Sequence, residues 1–122
     1  MNLQRGQRLI QNAYDCINRG DYSTAVRYFD DVLQYGEVSP ILHDKGFCLN
    51  ELGRYQAAIR CFDRVISLEN RHSDLYISAF YNKGRSYIGL NKREQAIACF
   101  DAVLSIDPYH ANARMGKDML LW

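Results

Sequence analysis

The residues that could do chemistry are scattered along this chain of 122 residues. The three histidines, His43, His72 and His110, lie far apart. None belongs to the HxxxH or HExxH spacing that puts two metal ligands on one helix face. The sequence also lacks a glycine-rich phosphate loop. We therefore expect no metal site and no cofactor.

The carboxylates follow a pattern that favours structure over catalysis. Asp63 and Asp101 each come directly after a phenylalanine, and Asp30-Asp31 occupy the corresponding place upstream. A pair of carboxylates for acid–base catalysis is built once in a protein. A carboxylate that returns at intervals indicates an exposed helix position or a salt link between neighbouring segments. We therefore predict a protein that is not an enzyme.

The four cysteines show neither a CxxC pair nor the spacing of a disulfide framework. The four are Cys16, Cys48, Cys61 and Cys99. Cys61 and Cys99 directly precede the phenylalanines of successive segments. This pattern predicts small buried side chains in a reducing compartment.

The overall charge excludes several classes of partner. The chain has 15 basic and 14 acidic residues, a formal net charge of +1. This balance gives no electrostatic reason to bind nucleic acid or an anionic membrane surface. No apolar run is long enough to span a bilayer, and Met1 to Arg5 lack the apolar core of a signal peptide. We expect a soluble, cytoplasmic protein.

The elements that carry these residues are clearest in residues 39–70. Ser39 followed by Pro40 is typical of a helix start, with the serine as cap. Gly53 is suited to end that helix, because glycine adopts the left-handed conformation. A second apolar stripe runs from Tyr55 to Ile66. The short connection predicts two antiparallel helices in a hairpin.

The same hairpin pattern occurs three times. Ala58 lies 33 residues after Ala25 and 38 residues before Ala96, and each alanine is followed four residues later by phenylalanine. A period near 34 with two helices per unit is typical of helical repeat arrays. The other recurring features are Gly46 with Tyr55, Gly84 with Tyr87, and Asp107-Pro108 at the end of a unit. On these residues the chain resembles the tetratricopeptide repeat (TPR) family over nearly its whole length.

The resemblance implies an all-α helical-hairpin solenoid with three repeats and a C-terminal capping helix. We predict a single domain over residues 1–122, with repeats at about 5–36, 39–70 and 73–107 and a capping helix at about 109–121. The third unit is preceded by about four extra residues, close to one helical turn. We predict that they lengthen its first helix, with Ser73 as the cap. Asn91 replaces the glycine that ends the first helix in the other units.

In this family the first helices of the units line a concave groove that binds an extended peptide or a partner's helix. Carrying that geometry over gives ten candidate contact residues: Ile10, Tyr14, Ile17, His43, Phe47, Asn50, Tyr81, Asn82, Arg85 and Ile88. Aromatic side chains in such a groove would dominate binding energetics. The alternative is that these aromatic residues only pack against the neighbouring unit.

One subclass of the family grips the C-terminal carboxylate of heat-shock chaperones with lysine, asparagine and arginine side chains. The matching positions here are Ile10, Tyr14, Asp44, Ser78 and Asn82. If the clamp is placed one unit later in the chain, the matching positions are His43, Phe47, Asn82, Asn112 and Gly116. Both sets lack the cations that would offset desolvation of a carboxylate. We therefore expect no binding of chaperone tails by this clamp.

The last helix is unusually apolar for the end of an array, whose outer face is normally polar. Met115, Met119 and Trp122 lie along one stripe. The sequence thus predicts a protein–protein interaction module with an aromatic-lined groove for a peptide or helix. The alternative is a structural module that forms a homodimer through this helix or continues into a longer array. RNA binding is a further alternative, but the groove has too few basic residues for it.

Overall fold

The structure, a computed structural model, describes all 122 residues and contains seven α-helices and no strands. Consecutive helices pack as three hairpins, and the seventh helix packs on the last hairpin. This confirms the predicted all-α hairpin solenoid with a terminal helix. The helices are α1 (Leu3–Asn18), α2 (Tyr22–Leu33), α3 (Ser39–Glu51), α4 (Tyr55–Leu68), α5 (Asp74–Gly89), α6 (Arg93–Ile106) and α7 (Ala111–Leu120). None of them is long and apolar enough to cross a membrane.

Side-chain caps fix the start of α2 and, as the sequence predicts, the start of α5. The carboxylate of Asp21 accepts a hydrogen bond from the amide of Thr24 at the start of α2. The hydroxyl of Ser73 accepts one from the amide of Tyr76 at 3.0 Å, so α5 begins about one turn earlier than α3 relative to their equivalent glycines. The extra residues before the third unit therefore extend α5, because the serine satisfies an amide that the longer helix would otherwise leave free.

The prediction that Ser39 caps α3 is wrong. The capping position is taken by Val38, whose side chain accepts no hydrogen bond, and Ser39 is already the first helical residue. Pro40 then occupies the second helical position, where its missing N–H removes no intrahelical bond. Its fixed φ angle suits the first turn of the helix, which forms without a side-chain cap.

Left-handed residues close each hairpin at the predicted places. Gly20 has φ 77°, Gly53 has φ 73° and Asn91 has φ 59°. Asparagine is among the few residues besides glycine that adopt this conformation routinely. The third hairpin therefore closes like the first two without glycine.

Close helix contacts explain two of the glycines inside helices, Gly46 and Gly84. A Cβ atom on Gly46 would lie 2.7 Å from Cε1 of Phe62, and one on Gly84 would lie 2.7 Å from Cε1 of Phe100. Both phenylalanines, like Phe29 in the first unit, are fully buried. These two glycines let α3 and α5 approach the aromatic ring of their own second helices.

A salt bridge joins each unit to the next. In every case an aspartate on a second helix pairs with a lysine on the following first helix. The three pairs are Lys45 with Asp30 at 2.6 Å, Lys83 with Asp63 at 2.6 Å, and Lys117 with Asp101 at 2.7 Å. The recurring aspartates therefore form the inter-unit links that were one of the two predictions for them. Each such pair contributes about 1 kcal/mol or less, because the aspartates remain half exposed.

Helix α7 is attached as the first helix of a further unit. It begins at Ala111, two residues later than predicted, because the imidazole of His110 accepts the amide hydrogen of Ala113 and acts as the cap. At its other end, the guanidinium of Arg93 donates to the carbonyls of Leu120 and Trp122. Arg93 occupies the place of an aromatic residue in the other units and here satisfies carbonyls that a helix end leaves free.

Candidate functional site

The first helices of the three units are joined by side-chain contacts across one face of the array. The hydroxyl of Tyr14 on α1 donates to Asp44 on α3. His43, also on α3, hydrogen-bonds to Ser78 on α5. These are the helices on which the sequence analysis placed the candidate groove.

His43 lies at the centre of a polar network between α3 and α5. Its Nδ1 lies 3.0 Å from Oδ1 of Asp44, and its Nε2 lies 2.8 Å from Oγ of Ser78 and 3.2 Å from Nδ2 of Asn82. The carboxylate of Asp44 accepts, so Nδ1–H of a neutral His43 donates to it and Nε2 is the acceptor. The single lone pair of Nε2 takes the hydroxyl hydrogen of Ser78, the nearer of its two neighbours.

Tyr14 extends this network to the first unit. Burial raises the pKa of the Tyr14 phenol far above its usual value, and the hydrogen bond to Asp44 raises it further. Tyr14 therefore stays protonated and acts as a donor. Together Tyr14, Asp44 and His43 connect three successive first helices.

Asn50 and Asn82 lie inside the joint between the second and third units. Oδ1 of Asn50 accepts from the hydroxyl of Ser86 at 2.7 Å, and its Nδ2 donates to the carbonyl of Asn82 at 3.3 Å. Nδ2 of Asn82 also donates to the carbonyl of Ser78. Both asparagines are buried with their hydrogen bonds made inside the chain. Their polar atoms are therefore engaged in holding α3 to α5 rather than offered to a partner.

The contacts Asp44–His43–Ser78 have the order of a nucleophilic triad. The sequence analysis did not foresee them, since Ser78 lies 35 residues from His43. Catalysis would also require an oxyanion hole and a cleft for the substrate. Ser78 is the fifth residue of α5, so its amide is engaged within the helix. Neither of the two largest clefts includes any of the three residues. The arrangement is a joint between helices.

The candidate aromatic residues are half-buried and pack against other rings. Tyr14 meets Phe29 edge-on at 5.6 Å between ring centroids, and Phe47 meets Tyr22 at 6.2 Å. Tyr81 lies between two rings, 5.8 Å from Phe100 and 5.5 Å from His110. Most of each ring is therefore used in packing, which was the alternative stated for them. Ile10 and Ile17 likewise pack partly against the core.

Arg85 and Ile88 are the exposed members of the candidate set. They line a cleft of about 380 Å³ at the hairpin-loop end of α3 and α5, together with Asn50, Glu51, Tyr55 and Gly89. Arg85 is held loosely, at 3.8 Å from Glu51 and 3.4 Å from Oδ1 of Asn82. At this place predicted contact residues line an open cleft.

A second cleft, of about 210 Å³, continues this surface toward α7. It shares Ile88 with the first and is also lined by Lys92, Met119 and Leu120. We call the two clefts together the loop-end groove. The sequence analysis missed Glu51, Tyr55 and Lys92, which lie in or beside the hairpin turns. Their position in the sequence could have indicated them, because a hairpin turn lies at the same end of the array as the last turn of the first helix that precedes it.

The four cysteines are buried and free. Burial raises the pKa of Cys48 to about 12 and that of Cys99 to about 11, and it also raises the pKa of Cys61. A thiol must ionise to act as a nucleophile, so these three are unreactive near neutral pH. They serve as small core residues, as predicted.

A family model described as tetratricopeptide repeat matches residues 37–108, more than half of the chain. The chain belongs to the tetratricopeptide repeat family. A curated relative, the uncharacterized protein MJ0572 of Methanocaldococcus jannaschii, is 29% identical over 72 residues, which cover 56% of this chain and 80% of the relative. Modules of this family serve protein–protein interaction, so the coarse functional prediction is supported.

Solved TPR domains share this fold along almost their whole length. The second TPR domain of human RPAP3, determined with the HSP70 peptide SGPTIEEVD, superposes with a TM-score of 0.86 and 16% identity, over 98% of this chain and 97% of that one. The Arabidopsis OM64 TPR domain superposes with a TM-score of 0.85 and 15% identity, over 98% of this chain and 97% of that one. At these identities the likeness shows the fold alone.

The TPR positions that match the carboxylate clamp are closed in this chain. Asp44 accepts from Tyr14 and His43, Ser78 donates to His43, and Asn82 is buried. The fifth position, Ile10, is apolar. The set therefore offers a carboxylate no cation and places one negative charge near its centre.

The three apolar residues of the terminal TPR helix lie on one stripe but face different surroundings. Met119 lines the loop-end groove beside Ile88. Met115 is 59% exposed and Trp122 is 96% exposed. In the third unit the residue equivalent to Met115 is Tyr81, which packs on Phe100 of its own second helix. Met115 has no such neighbour.

Proposed function

We propose that this TPR module binds a peptide segment or helix of a partner protein in the loop-end groove. The observation that carries the proposal is the exposure of Arg85 and Ile88 on the walls of two adjoining clefts. The polar groups of the neighbouring helix face are largely hydrogen-bonded to one another. A partner would therefore make its contacts at the loop end of the groove.

The groove chemistry favours a partner segment that carries an aliphatic side chain and a carboxylate. Ile88 and Met119 provide an apolar floor. Arg85 and Lys92 provide positive charge on either side of it, and Lys92 makes no salt bridge within the chain. Arg85 is paired only at 3.8 Å with Glu51, so a bidentate carboxylate from a partner could replace that contact.

Chaperone tails are not the ligand we propose. The RPAP3 domains were determined with an HSP70 peptide and an HSP90 peptide, both of which end in EEVD. In this chain the matching positions are occupied by the closed network around Asp44 and His43. We expect that the C-terminal carboxylate of SGPTIEEVD is not gripped by this chain, so amidation of that carboxylate should change its affinity by less than about twofold, which is below about 0.5 kcal/mol.

The test uses peptides selected from a display library of random linear sequences against the wild-type chain. We expect the selected peptides to share an acidic residue and an aliphatic residue. Their affinities are then measured by fluorescence polarisation for wild type and for Arg85→Ala/Ile88→Ala. The double change should weaken binding about tenfold to a hundredfold, because it removes both the cation and the apolar contact.

The matched control is Arg60→Ala/Leu68→Ala on α4. Leu68 is 43% exposed and Ile88 is 44% exposed, so the two variants remove similar surfaces. The control variant should bind like wild type. Equal loss of affinity in both variants, or peptides that bind Arg85→Ala/Ile88→Ala undiminished, would place the binding surface elsewhere and reject the proposal. Circular dichroism of each variant checks that the helices are intact.

A further inference from the structure

The outer face of α7 differs from that of the other first helices. The inter-unit salt bridges fix the register, because Lys45, Lys83 and Lys117 occupy equivalent places. The residue after each lysine is Gly46 in α3 and Gly84 in α5, but Asp118 in α7. Four residues earlier, Leu42 and Phe80 correspond to Arg114. The two outer positions are therefore occupied by Leu42 and Gly46 in α3, by Phe80 and Gly84 in α5, and by Arg114 and Asp118 in α7.

A second helix cannot pack on α7 as one packs on α3 and α5. There the glycines allow an aromatic ring to approach so closely that even a Cβ atom would lie 2.7 Å from it. Asp118 carries a larger and charged side chain at that point. Packing a repeat helix there would cause a steric clash and bury two charged side chains. The face is thus not built to receive the next helix of an array.

The same face is too apolar to be an ordinary solvated surface. Leu121 is 63% exposed and Trp122 is 96% exposed, and both lie one turn beyond Asp118. Met115, 59% exposed, flanks Arg114 on the other side. An exposed cluster of large apolar side chains is typical of a protein contact.

We propose that this face binds the α7 helix of a second copy of the chain in an antiparallel pair. Arg114 and Asp118 lie four residues apart, so they project from one side of the helix. Neither makes a salt bridge within the chain. A two-fold axis level with Gly116 brings Arg114 of each copy opposite Asp118 of the other. The face is therefore complementary to itself, as an interface of two-fold symmetry requires.

The apolar residues complete the contact. In the antiparallel pair Leu121 and Trp122 of each copy lie over the first turn of the other α7, next to the exposed Ala111. A helix of ten residues is about 15 Å long, so the buried area is near the lower limit for specific complexes. We infer a concentration-dependent dimer with a dissociation constant in about the micromolar range.

Charge exchange tests the pairing directly. In sedimentation-velocity runs over a range of concentrations, wild type should shift from monomer to dimer. Arg114→Asp alone and Asp118→Arg alone should stay monomeric, because each brings like charges together across the axis. An equimolar mixture of the two variants should form a heterodimer, since two carboxylates on one chain then face two guanidinium groups on the other. The chain carrying both changes should again form its own dimer.

Both substitutions are compatible with the fold, because they lie on an exposed surface and leave the helix ends favourably charged. Arg8→Asp on α1, the same charge change at the other end of the array, is the control and should dimerise like wild type. A wild-type chain that stays monomeric at all concentrations overturns the proposal. So does a dimer that persists in the single variants, or a mixture that fails to restore it. Peptide binding in the loop-end groove is measured separately and does not depend on this result.

Discussion

Helices α5 and α7 are attached to the array in the same way but end differently on their outer sides. Lys83 of α5 and Lys117 of α7 each pair with an aspartate of the preceding second helix, at 2.6 and 2.7 Å. On its other side α5 presents Gly84 to the ring of Phe100, whereas α7 presents Asp118 to solvent. The two helices thus share the contacts to the unit before them and differ in what can follow.

This difference shows which residues extend a repeat array and which residues end it. Both helices contact the preceding unit through a lysine and through a small buried residue, Ala79 in α5 and Ala113 in α7. The ring of a following second helix lies against a small residue at this point, Gly46 in α3 and Gly84 in α5, with Ala13 at the equivalent place in α1. An aspartate at that point leaves no room for the ring contact seen at Gly84 and does not disturb the contact to the preceding unit.

The largest expected difference in the free energy of unfolding is between removal of the ring of Phe100, which packs on α5, and removal of the ring of Trp122, which follows α7. Phe100 is 1% exposed and touches Gly84 and Gly116 from opposite sides. Phe100→Ala should lower the free energy of unfolding by about 3–5 kcal/mol, because it opens a cavity between α5 and α7. Trp122→Ala should change it by less than about 0.5 kcal/mol. Urea denaturation of dilute, monomeric protein measures both. A comparable loss in the two variants would mean that Trp122 is packed within the monomer.

A smaller difference is expected at the two equivalent helix positions. Gly84→Ala adds a methyl group against a buried ring, at a cost of about 1–3 kcal/mol, partly offset by about 1 kcal/mol of helix propensity. The net loss of stability should be about 0–2 kcal/mol. Asp118→Ala gains helix propensity and meets no ring, so it should be neutral or slightly stabilising. Thermal denaturation checks both, and a stabilised Gly84→Ala chain would contradict the close contact.

The smallest effect is expected for the attachment that the two helices share. Lys83→Met and Lys117→Met should each lower stability by about 1 kcal/mol or less, since Asp63 and Asp101 are half exposed. The two losses should be equal within about 0.5 kcal/mol and should shrink at high salt. Chemical denaturation at two ionic strengths gives this comparison. A much larger loss for one lysine would show that the two links are not equivalent.

The sequence pattern was sufficient for the hairpins because their signals are local. A left-handed residue at Gly20, Gly53 or Asn91 ends each first helix, and Ser73 starts α5 through a bond to an amide three residues away. Ser39 shows the limit of this reasoning. Whether a serine is the cap or the first helical residue depends on a shift of one position, which its neighbours in the sequence do not resolve.

The candidate groove was less predictable because its contacts join distant segments. Periodicity correctly assigned Asn82 and Arg85 to neighbouring turns of one helix. It did not reveal that Asn82 is buried against His43 while Arg85 is exposed, since that depends on how closely α3 and α5 approach. The rings of Tyr14, Phe47 and Tyr81 were placed on the right face, but their exposure is limited by partners on other helices.

The sequence by itself determined the helical repeats, their turns and the inter-unit aspartates, because each of these is a choice within one helix or one turn that recurs with the period of the array. The tertiary structure decided which polar residues are joints and which are open to a partner. It also decided that Arg114 and Asp118 stand where an apolar residue and a glycine receive a second helix in the other units. Such properties depend on distances between helices, and only the packed chain fixes those distances.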